Sequence, residues 1–250
     1  MSSKWSSVDV LPPLEADEIQ LWQIELGDTT DLIDRYTSLL TNTEQIHSNR
    51  CRVGRVRDHF TIGRACLRVL LGNALGIDAS DVSITKGIQG KPETPAIAGR
   101  NISLNVAHSK DTVLIALGSD GALGVDVEYV DRATDIMEVA QSNFTENEVA
   151  KLHAIADPEA RQRAFYCYWT RKEAIVKADG RGLLLSLSSF DVSPESMSFQ
   201  PVWLNGIPGN AEKLYFVSDL DLGNKAVGAL ALESSSARIH RMIFPLQTSW

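Results

Sequence analysis

Cysteine is scarce in this sequence: three in 250 residues, Cys51, Cys66 and Cys167, with no CxxC pair among them. That scarcity excludes a disulfide framework and a clustered-thiolate zinc site, and it suits a reducing cytosol. Long apolar runs are missing as well. No stretch reaches the roughly 20 residues that a bilayer-spanning helix needs, and the opening MSSKWSSVDVLPPLEADEIQ has no apolar signal core. A soluble, cytoplasmic protein without a membrane partner is the expectation. Nor is there a basic excess. Lys and Arg number 24 against 32 Asp and Glu, a net charge of −8, which argues against a general nucleic-acid binder. Short repeats, low-complexity tracts and obvious linkers are absent too. What is present is ordinary globular usage, 44% hydrophobic and 22% charged, in a chain long enough for one large domain or two modest ones.

Apolar spacing divides the chain into mixed elements. Residues 20–26 (QLWQIEL) alternate as a half-buried strand does, and residues 61–75 (TIGRACLRVLLGNAL) have helical spacing that stops near Gly76. Residues 86–99 hold three glycines and two prolines and read as a loop. Residues 101–106 and 113–117 read as strands. The turn Gly118-Ser119-Asp120-Gly121 leads into residues 123–128 (LGVDVE), so 113–117 and 123–128 are expected to pair as a hairpin. A helix is expected from Glu146 and a longer one from Pro158 to about Ala178, with Asp157 as N-cap and Gly180 past its end. Strands follow at 213–217 and 226–232. The fold class is α+β or α/β, with a division near Gly121.

Five segments carry chemistry. In Gly124-Val125-Asp126-Val127-Glu128 a strand would point the valines one way and Asp126 and Glu128 the other. Two carboxylates on one face suit magnesium, which takes one or two carboxylates plus substrate phosphate oxygens; the ordinary alternative is an amphipathic strand with a wet face. On a helix, Trp169, Glu173 and Lys177 share a face with Lys172 beside them, a set that can complete a metal site or serve only as a surface ion pair. Thr145 and Glu148 have capping-box spacing. Gly90-Lys91-Pro92 and Asn105-Val106-Ala107-His108-Ser109 place a lysine in a loop and a histidine at a strand end.

In this order and spacing the segments GKP, NVAHS, GVDVE, FTENE and WTRKEAIVK, from Gly90 to Lys177, resemble the Sfp-type 4'-phosphopantetheinyl transferases. The resemblance implies two similar subdomains, 1–120 and 121–250, packed as an intramolecular pseudo-dimer with coenzyme A in the cleft between them. It implies magnesium on Asp126, Glu128 and Glu173. Coenzyme A contacts would come from Arg50, Arg57, Arg64, Lys91, Asn105, His108, Lys172 and Lys177. Ala107 departs from the family, which often has a hydroxyl there to help hold the 3'-phosphate.

The implied reaction moves the phosphopantetheine arm onto a serine of an acyl or peptidyl carrier protein and releases 3',5'-ADP. Asp126 and Lys177 belong to the catalytic set, and the serine proton falls to Glu173, Glu148 or a metal-bound water. A monomer is expected, with the carrier docking along 161–185. There Arg161, Arg163, Arg171, Lys172, Lys177 and Arg181 outnumber Glu173 and Asp179, a patch able to steer an acidic partner, beside an apolar strip at 180–184. A coenzyme A-binding scaffold and a magnesium-dependent phosphoanhydride hydrolase are the competing classes.

Overall fold

The computed structural model describes residues 4–27, 29–87, 91–97, 99–119, 121–131, 133–193, 198–204 and 212–246. Gly90 and Asp120 of the expected loop and turn lie outside the described residues, as does the Leu183 side chain. In chain order the elements are β1 (Ser6–Ser7), β2 (Glu18–Glu25), α1 (Ile33–Ser38), α2 (Asn42–Arg50), α3 (Gly54–Leu75), β3 (Thr85–Lys86), β4 (Pro92–Glu93), β5 (Ser103–Ser109), β6 (Thr112–Gly118), β7 (Leu123–Tyr129), α4 (Ile136–Asn143), α5 (Glu146–Ala154), α6 (Pro158–Asp179), β8 (Gln200–Leu204), β9 (Lys213–Leu220), β10 (Ala226–Leu232) and β11 (Arg238–Ile243). The mixture of helix and strand is as expected. No described helix is long and apolar enough to cross a membrane.

Two sheets organise the chain. The first has the order β1-β11-β2-β6-β5 and the second β7-β10-β9-β8. Alternation along each strand explains the layering. On β6, Val113, Ile115 and Leu117 pack with Ile62, Cys66 and Leu70 of α3, while Leu114 and Ala116 face the other way. They meet Leu123, Val125 and Val127 of β7 and Leu230 of β10 in a core shared by the two sheets. On β10 the opposite set, Val227, Ala229 and Ala231, packs under Phe165, Tyr168 and Ile175 of α6.

The expected hairpin between 113–117 and 123–128 does not form. β6 pairs with β2 and β5, and β7 pairs with β10 in the other sheet. Both segments carry apolar faces, and those faces stack in the core between the sheets. The hairpin forms one step earlier, β5 with β6, across Lys110 and Asp111 with Lys110 at φ 48°. The boundary near Gly121 coincides with the passage between sheets, but β11 returns to the first sheet and pairs in parallel with β2.

The long helix α6 starts as its sequence requires. Asp157 accepts from the Ala160 N–H at 2.8 Å, Pro158 opens the first turn, and Gly180 closes it at φ 82°. It lies directly on β7, because a Cβ at Gly124 would fall 2.1 Å from the Ala174 carbonyl oxygen and 2.5 Å from the Ala178 nitrogen.

Lys172 leaves this contact face. Its ammonium is 2.8 Å from Glu148 Oε2, donates to the carbonyls of Leu187 (2.7 Å) and Phe190 (2.6 Å), and lies 4.6 Å from the Phe190 ring centroid. Glu148 in turn accepts from the Thr145 and Val192 N–H groups at 3.0 and 2.8 Å. The capping box expected from sequence is therefore present, and it doubles as one half of an ion pair whose side chains are 0% and 1% exposed. This placement bears on two expectations: Lys172 as a coenzyme A contact and Glu148 as one of three candidate bases. Burial with every polar atom engaged keeps both from substrate.

Two stability outcomes follow. Gly124→Ala forces α6 off β7 and should cost about 1–3 kcal/mol, read as a lowered thermal midpoint. Lys172→Met strands a buried carboxylate and should cost about 3–5 kcal/mol in denaturant unfolding, and the double variant Lys172→Met, Glu148→Gln should recover most of that loss.

Candidate active site

The face of β7 away from the inter-sheet core carries Asp126 and Glu128, and α6 brings Glu173 and Lys177 against it, one helical turn apart. Lys177 Nζ donates to Asp126 Oδ1 at 2.6 Å and to the Val125 carbonyl at 3.3 Å. Asp126 is buried, and its second oxygen, Oδ2, has no hydrogen-bond partner among the described residues. A buried acceptor without a partner is costly, so Oδ2 is open to a further ligand. Glu128 is half-buried and accepts from Ser109 Oγ at 3.1 Å.

Burial raises the Asp126 carboxyl to about 7; Lys177 opposes the rise, and Glu128 and Glu173 add to it. Glu128 is raised mainly by burial and also by Glu173, with Ser109 and Lys177 pulling it down. The three carboxylates thus share one electrostatic neighbourhood. They do not form a closed ligand set: no three His, Cys, Asp or Glu side chains among the described residues are grouped to hold a metal, and the ammonium of Lys177 occupies one side of Asp126.

β5 runs beside β7 and is stitched to it by side chains. Asn105 Oδ1 accepts from the Val125 N–H at 2.8 Å, and Ser109 Oγ accepts from the Tyr129 N–H at 2.9 Å. Asn105, expected to touch the cofactor, is 3% exposed and held in this seam. Ala107 shares its face and sits in the inter-sheet core, whereas His108 faces outward. A hydroxyl at 107 would therefore not reach the cleft that His108 lines.

That cleft, about 710 Å³, lies between α2, α3 and the β5–β6 hairpin. Of the expected contacts, Arg64 and His108 line it. His47, Arg55, His59 and Lys110 also line it, and these the sequence reading missed. For Arg55 and His59 the signal was a helix starting at Gly54 rather than Thr61, which puts Arg55, His59 and Gly63 four apart on one face. His108 is held below the usual histidine range by burial, Lys177 and His59. Arg50 and Arg57 are exposed and do not line the cleft; Arg57 pairs with Asp58 at 3.2 Å. Lys91 donates to the carbonyls of Leu123 (3.3 Å) and Lys177 (3.1 Å), tying its loop to both β7 and α6.

The expected docking patch is largely consumed by the fold. Arg171 is fully buried and pairs with Asp219 at 2.6 Å, Lys172 is buried on Glu148, and Arg181 pairs with Asp179. Arg163 donates to the carbonyls of Gly223 and Asn224. Of the apolar strip, Leu184 remains outside at 75% exposure.

The chain is similar to known proteins. A family model described as the 4'-phosphopantetheinyl transferase superfamily matches residues 122–227, which include β7 and α6. The 4'-phosphopantetheinyl transferase HetI of Nostoc sp. is 30% identical over 195 residues, covering 76% of this chain and 82% of the relative. AcpT of Salmonella typhi is 34% identical over 52% of this chain and 65% of its own length. Sfp of Bacillus subtilis is 30% identical over 52% of this chain and 56% of its own length. With a relative matched across most of both chains, and with the matched segment spanning the carboxylates and their lysine, the chain belongs to the 4'-phosphopantetheinyl transferase family.

Proposed function

We propose that the cleft beside His108 and the carboxylates of β7 and α6 form one site, in which coenzyme A gives up its phosphopantetheine arm to a carrier-protein serine. The serine oxygen forms a bond to the arm's phosphorus, the phosphoanhydride bond breaks, and 3',5'-ADP leaves with the electron pair. Such transfers depend on positioning and on neutralising phosphate charge. The observation that carries the reading is the buried Asp126, with one oxygen on Lys177 and the other unpartnered.

In this proposal Asp126, Glu128 and Glu173 would hold a magnesium ion, which supplies positive charge to the diphosphate oxygens. The unpartnered Oδ2, with Glu128 and Glu173 close enough to raise the Asp126 carboxyl, suits a hard cation. Lys177 donates to a phosphate oxygen, and Arg64 and His108 face the rest of coenzyme A in the cleft. Glu173 takes the serine proton; it is partly exposed, whereas Glu148 is buried. Residues 1–120 would form the coenzyme A side and residues 121–250 the metal and carrier side, two similar halves arranged as a pseudo-dimer. What supports this is one sheet built mainly from residues 1–120 under α3 and a second built from residues 121–250 under α6. Since one chain supplies both halves, the acting unit is a monomer, and three free cysteines suit the cytosol.

Asp126→Asn preserves shape and removes the charge. Transfer should fall by roughly a hundredfold or more, the scale of losing one preorganised charge, while the fold persists. Intact mass of the carrier after incubation with coenzyme A and magnesium reads the result, and a near wild-type rate would remove Asp126 from the site. The raised carboxyl also sets a pH dependence. The folded state binds this proton more tightly than the unfolded chain, whose reference value is 3.8. Without divalent ions, stability relative to Asp126→Asn should therefore fall as pH rises from about 4 through about 7. Urea unfolding midpoints across that range measure the difference, and added magnesium should abolish it.

A further inference from the structure

With most cations of 161–185 engaged inside the fold, the carrier needs another surface, and one segment has the composition for it. Between Ile46 and Arg57 the chain turns from α2 into α3 through Cys51, Arg52 and Val53. This segment holds Arg50, Arg52, Arg55 and Arg57 and no acidic residue, in a chain of net charge −8. All four arginines are exposed. Arg55 pairs with Asp111 and Arg57 with Asp58, but Arg50 and Arg52 meet no acidic side chain among the described residues.

Large apolar side chains are interleaved with them. Ile46, Val53 and Val56 are 55%, 61% and 55% exposed, three of the seven large hydrophobic residues that the described surface leaves out. Single exposed apolar residues are ordinary; three within one helix corner make a patch. The corner also borders the site. Cys51, Arg55 and Val56 line the coenzyme A cleft, and Asp111, the partner of Arg55, follows Lys110, whose ammonium is 3.6 Å from the ring centroid of Tyr129. Tyr129 is the neighbour of Glu128.

We propose that the α2–α3 corner, from Ile46 to Arg57, is the docking surface for the carrier protein, and that it fits an acidic, amphipathic face of that partner. Arginines attract and orient the acidic side chains while Ile46 and Val53 seat its apolar ones. The inference rests on the transferase reading, and it names where the second substrate lands.

Steady-state kinetics with an apo acyl carrier protein test it. Ile46→Asp and Val53→Asp lie outside the cleft lining. Each should raise the carrier KM about tenfold, the scale of an interface anchor, and leave the coenzyme A KM within about twofold. Arg52→Glu should raise the carrier KM and weaken its salt dependence. Thermal midpoints should stay within about 2 °C, because surface changes of this kind cost little. A raised coenzyme A KM with the carrier KM unchanged overturns the proposal, as does a carrier KM that responds to Leu184→Asp and not to these variants. If the wild-type chain transfers no arm to any carrier tried, the transferase reading falls and takes this surface with it.

Discussion

The approach of α6 to β7 over Gly124 is the constraint on which the site depends. Without a side chain at 124, the helix backbone comes within contact distance of the strand, and residues 173 and 177 arrive level with residues 126 and 128. The other face of the same strand is fixed by Val125 and Val127 in the core between the sheets. One strand is thus held from both sides, so Asp126 is buried with little freedom to move. A carboxylate in that position keeps its charge only if a cation accompanies it. Lys177 supplies one such cation, and it reaches only one of the two oxygens.

Much of this was legible in the sequence, for local reasons. The alternation of GVDVE and the four-residue spacing of Glu173 and Lys177 are short-range patterns, and strand and helix geometry convert them directly into shared faces. The caps of α6 were equally local. What could not be read was which sheet each strand joins. β6 and β7 look like a hairpin because a turn joins them; they stack instead, because the deciding contacts involve β10 and β2, far away in sequence.

Charge was the other source of error. Lys172 and Arg171 look like surface residues on any hydropathy scale, yet both are fully buried against Glu148 and Asp219. A sequence shows charges but not their partners, and a count over 161–185 treats engaged and exposed cations alike. The reverse held at the start of α3. Its first two turns are polar enough to hide the helix, and with it the register that lines the cleft with Arg55 and His59. The identity of the mixed fold survived these errors; the allocation of individual cations did not.

The return of β11 to the first sheet bears on how the chain reaches its folded state. β11 lies between β1 and β2, so an inner strand of the first sheet is made long after its neighbours. As the polypeptide emerges during synthesis, β2 keeps one edge open until residues 238–243 arrive, and open edges invite wrong pairing. Sequence-distant pairings of this kind slow folding. The half that emerges first is therefore the half that finishes last.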